Sequence, residues 1–350
     1  MRTIEFCAAV TVIIGSVLRI QPSPSSSPPR YTIVDLNANG RGITYARGLN
    51  NRGEVIGILF GAASVGKLYS HGKLTKLQPF GDLPASEASY INDMGLVVGD
   101  SRVRILAGLH RTRACMWVKG QPRDLGLLPG DNMSDASAIN NSGAIVGMSG
   151  TFDLNQPEKG RTRVVTWAAG RIRALEGIPG EGSYALDINE SGVILGMRIV
   201  SDSEQRPFIY IGGKARDLPL PRAGTCFAVS LNDKGLVVGE RHSSDKASHA
   251  VLWNNGRIID LVTPAGTKDS RALDINNSGQ IVSSCGSATF RGGACLWENG
   301  RIHDLNVLIP NSTGWILQTA QAVNDKGQIV GSGTHYGNDR TFLLTPVRSK

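Results

Sequence analysis

The chain has 350 residues, 41% hydrophobic and 6% aromatic, which is ample for a buried core and long enough for more than one domain. Its formal charge of +8 suits solubility and an acidic partner, but the basic residues are dispersed, which excludes a nucleic-acid-binding arm. Glycine stands out at 43 residues, and short apolar runs between glycines point to strands and tight turns, not helices.

The first 29 residues read as a processing segment. Phe6 to Leu18 is an apolar stretch behind Arg2, too short to span a bilayer and fit for the core of a signal peptide. Gln21 to Pro29 is a Pro/Ser linker that cannot pack. An exported protein without a further membrane-spanning segment is expected, with a mature charge of +7 from 35 basic and 28 acidic residues. Residues 30–347 form one repeat domain, and 348–350 are a tail.

From residue 46 onward one pattern recurs seven times: Ala, three residues, Asn, two residues, Gly, one residue, then two aliphatics. The asparagines are Asn50, Asn92, Asn140, Asn189, Asn232, Asn276 and Asn324, spaced by 42 to 49. Each Asn-to-Gly segment predicts a type I turn closed by a positive-φ glycine, hence a hairpin of two strands, A and B. The alanine four residues earlier predicts an innermost strand crowded around a central axis. A second hairpin, of strands C and D, follows in each unit. Its mark is an aromatic residue three positions before a glycine, as in Trp117/Gly120 and Trp253/Gly256. Strand D then ends in a pair that is usually Asp-Leu.

The chain ends fix the topology. Tyr31 to Leu36 is a lone strand D ending in Asp35-Leu36, and the last unit has strands A, B and C but no D. A ring closed by the N-terminal strand makes sense of this permutation and removes sheet edges. The expected fold is therefore all-β: a seven-bladed β-propeller of four-stranded blades.

The residues HAVLW at His249 to Trp253, DLGLLPG at Asp124 to Gly130, INNSGAIVG at Ile139 to Gly147, and the stretch from Leu305 to Gly331 carry a family likeness. Together they resemble the HAF-repeat family of bacterial extracellular repeat proteins, over residues 31–347. Only one unit keeps His-Ala. The resemblance implies export and a repeat fold, and carries no catalytic residue onto this chain.

The B–C and D–A loops differ between the seven copies while the A–B and C–D turns do not, so individual function is expected on the B–C/D–A face. There the second unit concentrates Arg102, Arg104, His110, Arg111 and Arg113, and the third adds Lys159, Arg161 and Arg163. Arginine forks suit an anionic polysaccharide. Set against this is a solvated basic rim. Trp315, in the long D–A loop, reads as either a loop anchor or a ligand contact. The other periodic tryptophans read as core. Asp187-x-Asn189 and Asp274-x-Asn276 look like the opening of a calcium loop, but the Asn-to-Gly turn accounts for them better.

No nucleophile motif, metal-ligand spacing or C-x-x-C pair stands in the sequence, so no cofactor is expected. The reading is a monomeric, non-catalytic binding or scaffold module for an anionic polysaccharide or a surface protein. Its rival is a propeller enzyme acting on an extracellular polysaccharide, with Asp131, Asp135, Glu158 or Glu181 as acid/base groups. A purely structural surface-layer component is a third reading. Cys285 and Cys295, on neighbouring strands of the sixth unit, are expected to form a disulfide, with Cys115 free.

Overall fold

In the computed structural model each of the seven units forms one four-stranded antiparallel sheet, and the seven sheets close into a β-propeller. The structure describes residues 31–347, apart from 39, 62, 107–108, 153–159, 181, 202–203, 222–223, 244–246, 264–268, 287–292 and 311–312. The proposed signal segment lies outside the described residues. Blade 1 comprises Tyr45–Leu49, Val55–Leu59, Val65–Ser70 and Lys73–Lys76, and blades 2 to 6 repeat that order to Asp304.

Blade 7 takes its strands A, B and C from Trp315–Val323, Ile329–His335 and Asn338–Pro346, and its outermost strand from Tyr31–Asp35. Tyr31 pairs with Pro346 and Asp35 with Phe342. The imported strand reproduces strand D in detail. Leu36 N–H donates to the Thr341 carbonyl just as Leu125 N–H donates to that of Ala114.

Turn chemistry explains the hairpins. In each A–B turn the asparagine carbonyl accepts from the glycine N–H, as Asn140 does from Gly143 at 3.1 Å. Its side-chain Oδ1 accepts from the N–H four residues on, as from Ala144 at 3.0 Å. The C–D turns are two-residue turns with both φ values positive, such as Lys119 (52°) and Gly120 (80°), which is the type I′ signature.

The core lies between blades. One cluster joins Val98 and Ala114 of blade 2 to Ala136, Ile139, Ile145, Val165 and Trp167 of blade 3, and six equivalent clusters complete the ring. The repeated alanines belong to these clusters rather than to the axis, a correction to the sequence reading. Each faces a glycine on strand B, as Ala136 faces Gly147, except that Ala272 faces Ser283. A Cβ on Gly147 would collide with the Asp135 carbonyl, so the two strands approach closely at that point. The tryptophans tie neighbours together: Trp117 Nε1 donates to the Gln78 carbonyl at 2.7 Å, and Trp253 and Trp297 do the same to Pro219 and Val262.

The four cysteines among the described residues, Cys115, Cys226, Cys285 and Cys295, are buried free thiols. Cys285 stands opposite Gly293 and Cys295 opposite Ser283, two places out of register. The pair is therefore diagonal, in thiol contact without a bond, contrary to the expected disulfide.

Deleting residues 31–36 should leave blade 7 with a bare edge and an uncovered core. We expect a Tm lower by about 10 °C or more together with aggregation, read by calorimetry and light scattering. A truncated protein as stable and monodisperse as the parent would contradict closure by this strand.

Candidate functional site

Every innermost strand carries a β-bulge at the same place. The ladder slips between Ala46 and Gly48, Ala88 and Tyr90, Ala136 and Ala138, and so on round the ring to Ala320 and Ala322. A bulge re-aims a side chain. Here it turns one residue per blade toward the axis: Arg47, Ser89, Ser137, Leu186, Val229, Leu273 and Gln321 all line a central channel of about 580 Å³.

Two closed rings of hydrogen bonds frame this channel at the A–B turns. In the first, each asparagine Nδ2 donates to the backbone carbonyl of the next blade's asparagine. The bonds run from Asn50 to Asn92, Asn140, Asn189, Asn232, Asn276 and Asn324 and back to Asn50, at 2.9–3.2 Å. In the second, each following residue donates its N–H to a side-chain oxygen of its neighbour. The order is Asn51, Asp93, Asn141, Glu190, Asp233, Asn277, Asp325 and again Asn51, at 2.8–3.0 Å.

Inside the second ring the wall is acidic on one side and ion-paired on the other. Asp187 accepts from Leu231 and Ile188 N–H, and Asp274 from Val323 and Ile275 N–H. The Ser230 hydroxyl lies between the two carboxyls, 2.8 Å from Asp274. These bonds answer the calcium-loop question in favour of structural turns. Burial and the nearby Asp274 carboxylate push Asp187 up to about 7, and burial raises Asp274 as well. Tyr90 enters the channel from blade 2. The carboxylates of Asp187, Asp274, Glu190 and Asp233, with burial, hold its phenol well above the ordinary value.

Across the channel, Glu87 pairs with Arg47 and, at 2.7 Å, with Arg102. Arg102 also forks onto the fully buried Asp100. Asp135, from the innermost strand of blade 3, is a hydrogen-bonding neighbour of Asp100. Burial comes first and the Asp100 charge second among the causes that raise Asp135. Such a contact favours a proton on one of the two carboxyls.

The sequence-derived candidates scatter. The SRVRILAGLHRTR segment is no loop: it continues strands B and C of blade 2, Val97–Leu106 and Leu109–Val118. Arg102 turns inward as described. Arg113 forks onto Asp124 at 2.7 and 2.8 Å, a clasp repeated as Arg198–Asp217 and Arg241–Asp260. Arg163 pairs with Asp131 at 2.9 Å. Arg111 and Arg161 are exposed. Arg104 is exposed and engaged within the chain. His110 sits opposite Arg104 on the hairpin, and its side chain lies outside the described residues, as do Glu158, Lys159 and Glu181. Trp315 is not in a loop but opens strand A of blade 7, half-buried and stacked on His335. Of the two proposed acids among the described residues, Asp131 serves Arg163 and Ser149, and Asp135 lines the channel.

The residues turned into the channel are weakly marked in the sequence, because each sits on a strand at a position of no fixed residue type. One signal was present: the positions flanking each repeated alanine vary freely among the seven units while the alanine does not.

No family model matches the chain, and no curated protein matches it. Solved structures resemble it in fold. The β-propeller domain of the trilobed protease from Pyrococcus furiosus has a TM-score of 0.50 and 11% identity over 76% of this chain and 83% of that one. A puromycin-hydrolysing peptidase of Mycobacterium tuberculosis has a TM-score of 0.57 and 10% identity, covering 87% of this chain and 52% of that one. A puromycin hydrolase S511A mutant, complexed with PGG, gives a TM-score of 0.57 and 12% identity, covering 85% and 53%. This chain thus spans about half the length of the two hydrolases. At these identities the likeness shows the propeller and nothing of its chemistry.

Two outcomes follow from the rings. Asn140→Ala removes the buried amide, takes the Oδ1 acceptor from the Ala144 N–H and leaves the Asn189 carbonyl with the Gly192 N–H alone, so we expect a loss of about 1–3 kcal/mol in urea unfolding. The acidic wall adds a pH effect. With Asp187 at about 7 against its ordinary 3.8, the native state keeps a proton that the unfolded chain releases. That stabilisation is complete below about pH 4 and is lost as pH rises through 7. The urea midpoint should therefore fall between pH 5 and pH 8, and Asp187→Asn should flatten the fall.

Proposed function

We propose that the protein is an exported, non-catalytic propeller that binds an extracellular polysaccharide. The observation that carries this reading is the commitment of the ring carboxylates. Asp93, Glu190, Asp233 and Asp325 each accept a neighbour's N–H, and Asp187 and Asp274 each accept two. Groups held this way position a scaffold and lack the freedom an acid/base pair needs. The Pro/Ser linker behind an apolar leader and the resemblance to HAF-repeat proteins support export. The net charge of +8 supports an anionic partner. Since Arg102, Arg113 and Arg163 are spent on internal ion pairs, such a partner meets Arg111 and Arg161 on the rims of blades 2 and 3.

One observation favours a second reading. Asp135 and Glu87 both line the channel, and burial beside Asp100 pushes Asp135 up to about 8; a protonated carboxyl and a second carboxyl in one cleft are the ingredients of hydrolysis.

The two readings separate in one experiment. Binding of polygalacturonic acid and of neutral glucans is measured by calorimetry at two salt concentrations, and the same mixtures are assayed for released reducing ends. The binding reading expects polygalacturonate affinity that falls with salt, and falls again in Arg111→Ala/Arg161→Ala, with no new reducing ends. Hydrolysis that disappears in Asp135→Asn would establish the enzyme instead.

A further inference from the structure

In blade 7 strand B turns directly into strand C. That connection is a two-residue turn, Tyr336-Gly337, and Tyr336 has φ +47°. A type I′ turn favours Asn or Gly at this position, and a bulky aromatic there carries backbone strain. The strain is not repaid by burial, because Tyr336 is 73% exposed.

Instead the ring is held out on a stack. Trp315 lies flat on His335, with centroids 4.7 Å apart and planes 6° from parallel. Phe342 of the core meets the Trp315 ring edge-on at 6.0 Å. His335 in turn touches Tyr336 at 4.6 Å. Gly314 lies against the tyrosine ring, where a Cβ would come within 2.5 Å of Cε1. A column of three rings thus runs from the core to solvent and ends in a preorganised aromatic surface. Hydrogen-bonding groups stand beside it. Asp35 lies 3.5 Å from His335 and 3.4 Å from Arg340, and Asn338 and Asp339 continue the turn as exposed residues.

We propose that Tyr336, supported by His335 and Trp315, is a stacking subsite for a neutral sugar ring of a polysaccharide. This rests on the polysaccharide reading above and names a second contact for the same polymer. A pyranose has one apolar face and a rim of hydroxyls, and it matches an exposed ring bordered by a carboxylate and amide groups. A nucleic acid would also stack, but its phosphates would meet Asp35 and Asp339. A protein partner needs about 800 Å² of surface per side, far more than one ring offers. Trp315 acts here as the anchor and Tyr336 as the contact. Sequence reasoning named the first and passed over the second.

The test uses the full mature chain with cellohexaose, chitohexaose, polygalacturonate and a dT oligonucleotide, by calorimetry and by quenching of tryptophan fluorescence. Binding of at least one neutral hexasaccharide is expected, with affinity reduced about tenfold or more in Tyr336→Ala and kept in Tyr336→Phe. Gly314→Ala, which displaces the ring, should weaken binding as well. Unchanged thermal unfolding in Tyr336→Ala shows that the loss is local. If that variant binds the hexasaccharides like the parent, the subsite is wrong. The polysaccharide reading then stands only if polygalacturonate still binds through Arg111 and Arg161. Binding of no glycan by the parent overturns both proposals, and tighter binding of the oligonucleotide than of any sugar overturns the subsite.

Discussion

The ring of asparagine amides is the constraint on which the rest of the propeller depends. At each of seven places the side chain must accept from its own turn and donate to its neighbour, as Asn140 does with Ala144 and Asn189. An aspartate lacks the donor and a serine has no amide, so the dual demand selects asparagine. Because every bond joins adjacent blades, the ring sets the spacing of the innermost strands and with it the bore of the channel. All seven asparagines are buried, where an unmade bond is costly. Local turn formation and global closure thus use the same residue, which is the consistency across levels that gives a sequence one fold.

Most of that architecture was legible because a repeat multiplies weak signals. One Asn-x-x-Gly is a common turn; seven at similar spacing, each behind an alanine, define strands, blades and ring. The permuted ends followed from Asp35-Leu36 matching the close of strand D. The Oδ1 role of asparagine could be read locally, whereas its Nδ2 role could not, since the acceptor lies in another blade. The bulges were hidden for a similar reason: a one-residue slip leaves no mark on alternation when the slipped residue faces a channel and is free to be Arg, Ser or Leu. Charge misled in a third way. Arg102, Arg104, Arg111 and Arg113 look like a cluster in sequence, but strand alternation and acidic neighbours such as Asp100 and Asp124 divert two of them inward or sideways.

A basic protein with an acidic axis separates its two electrostatic surfaces. Carboxyls crowd a confined space, and the upward shifts of Asp187 and Asp274 lessen the charge they place there. The outer strands instead use aspartate to clasp arginine, as Arg198 and Asp217 do. Carboxylates are therefore structural elements throughout, and their environments range from one that lowers the pKa of Asp124 to one that raises that of Asp274.

The way the N-terminal strand docks also decides how the molecule bears load. Tyr31, the first residue of that strand, is pinned by its N–H to the Leu308 carbonyl and by a fully covered ring. A pull on the preceding segment meets this residue first. Because the strand lies antiparallel on the blade's edge, tension applied there peels its pairs one after another, beginning at Tyr31 and Pro346. Resistance then depends on a single well-anchored tyrosine, not on the summed strength of the ladder. A tether applied ahead of Tyr31 would thus place the molecule's mechanical fuse at that residue, while the two hydrogen-bonded rings at the axis remain off the line of force.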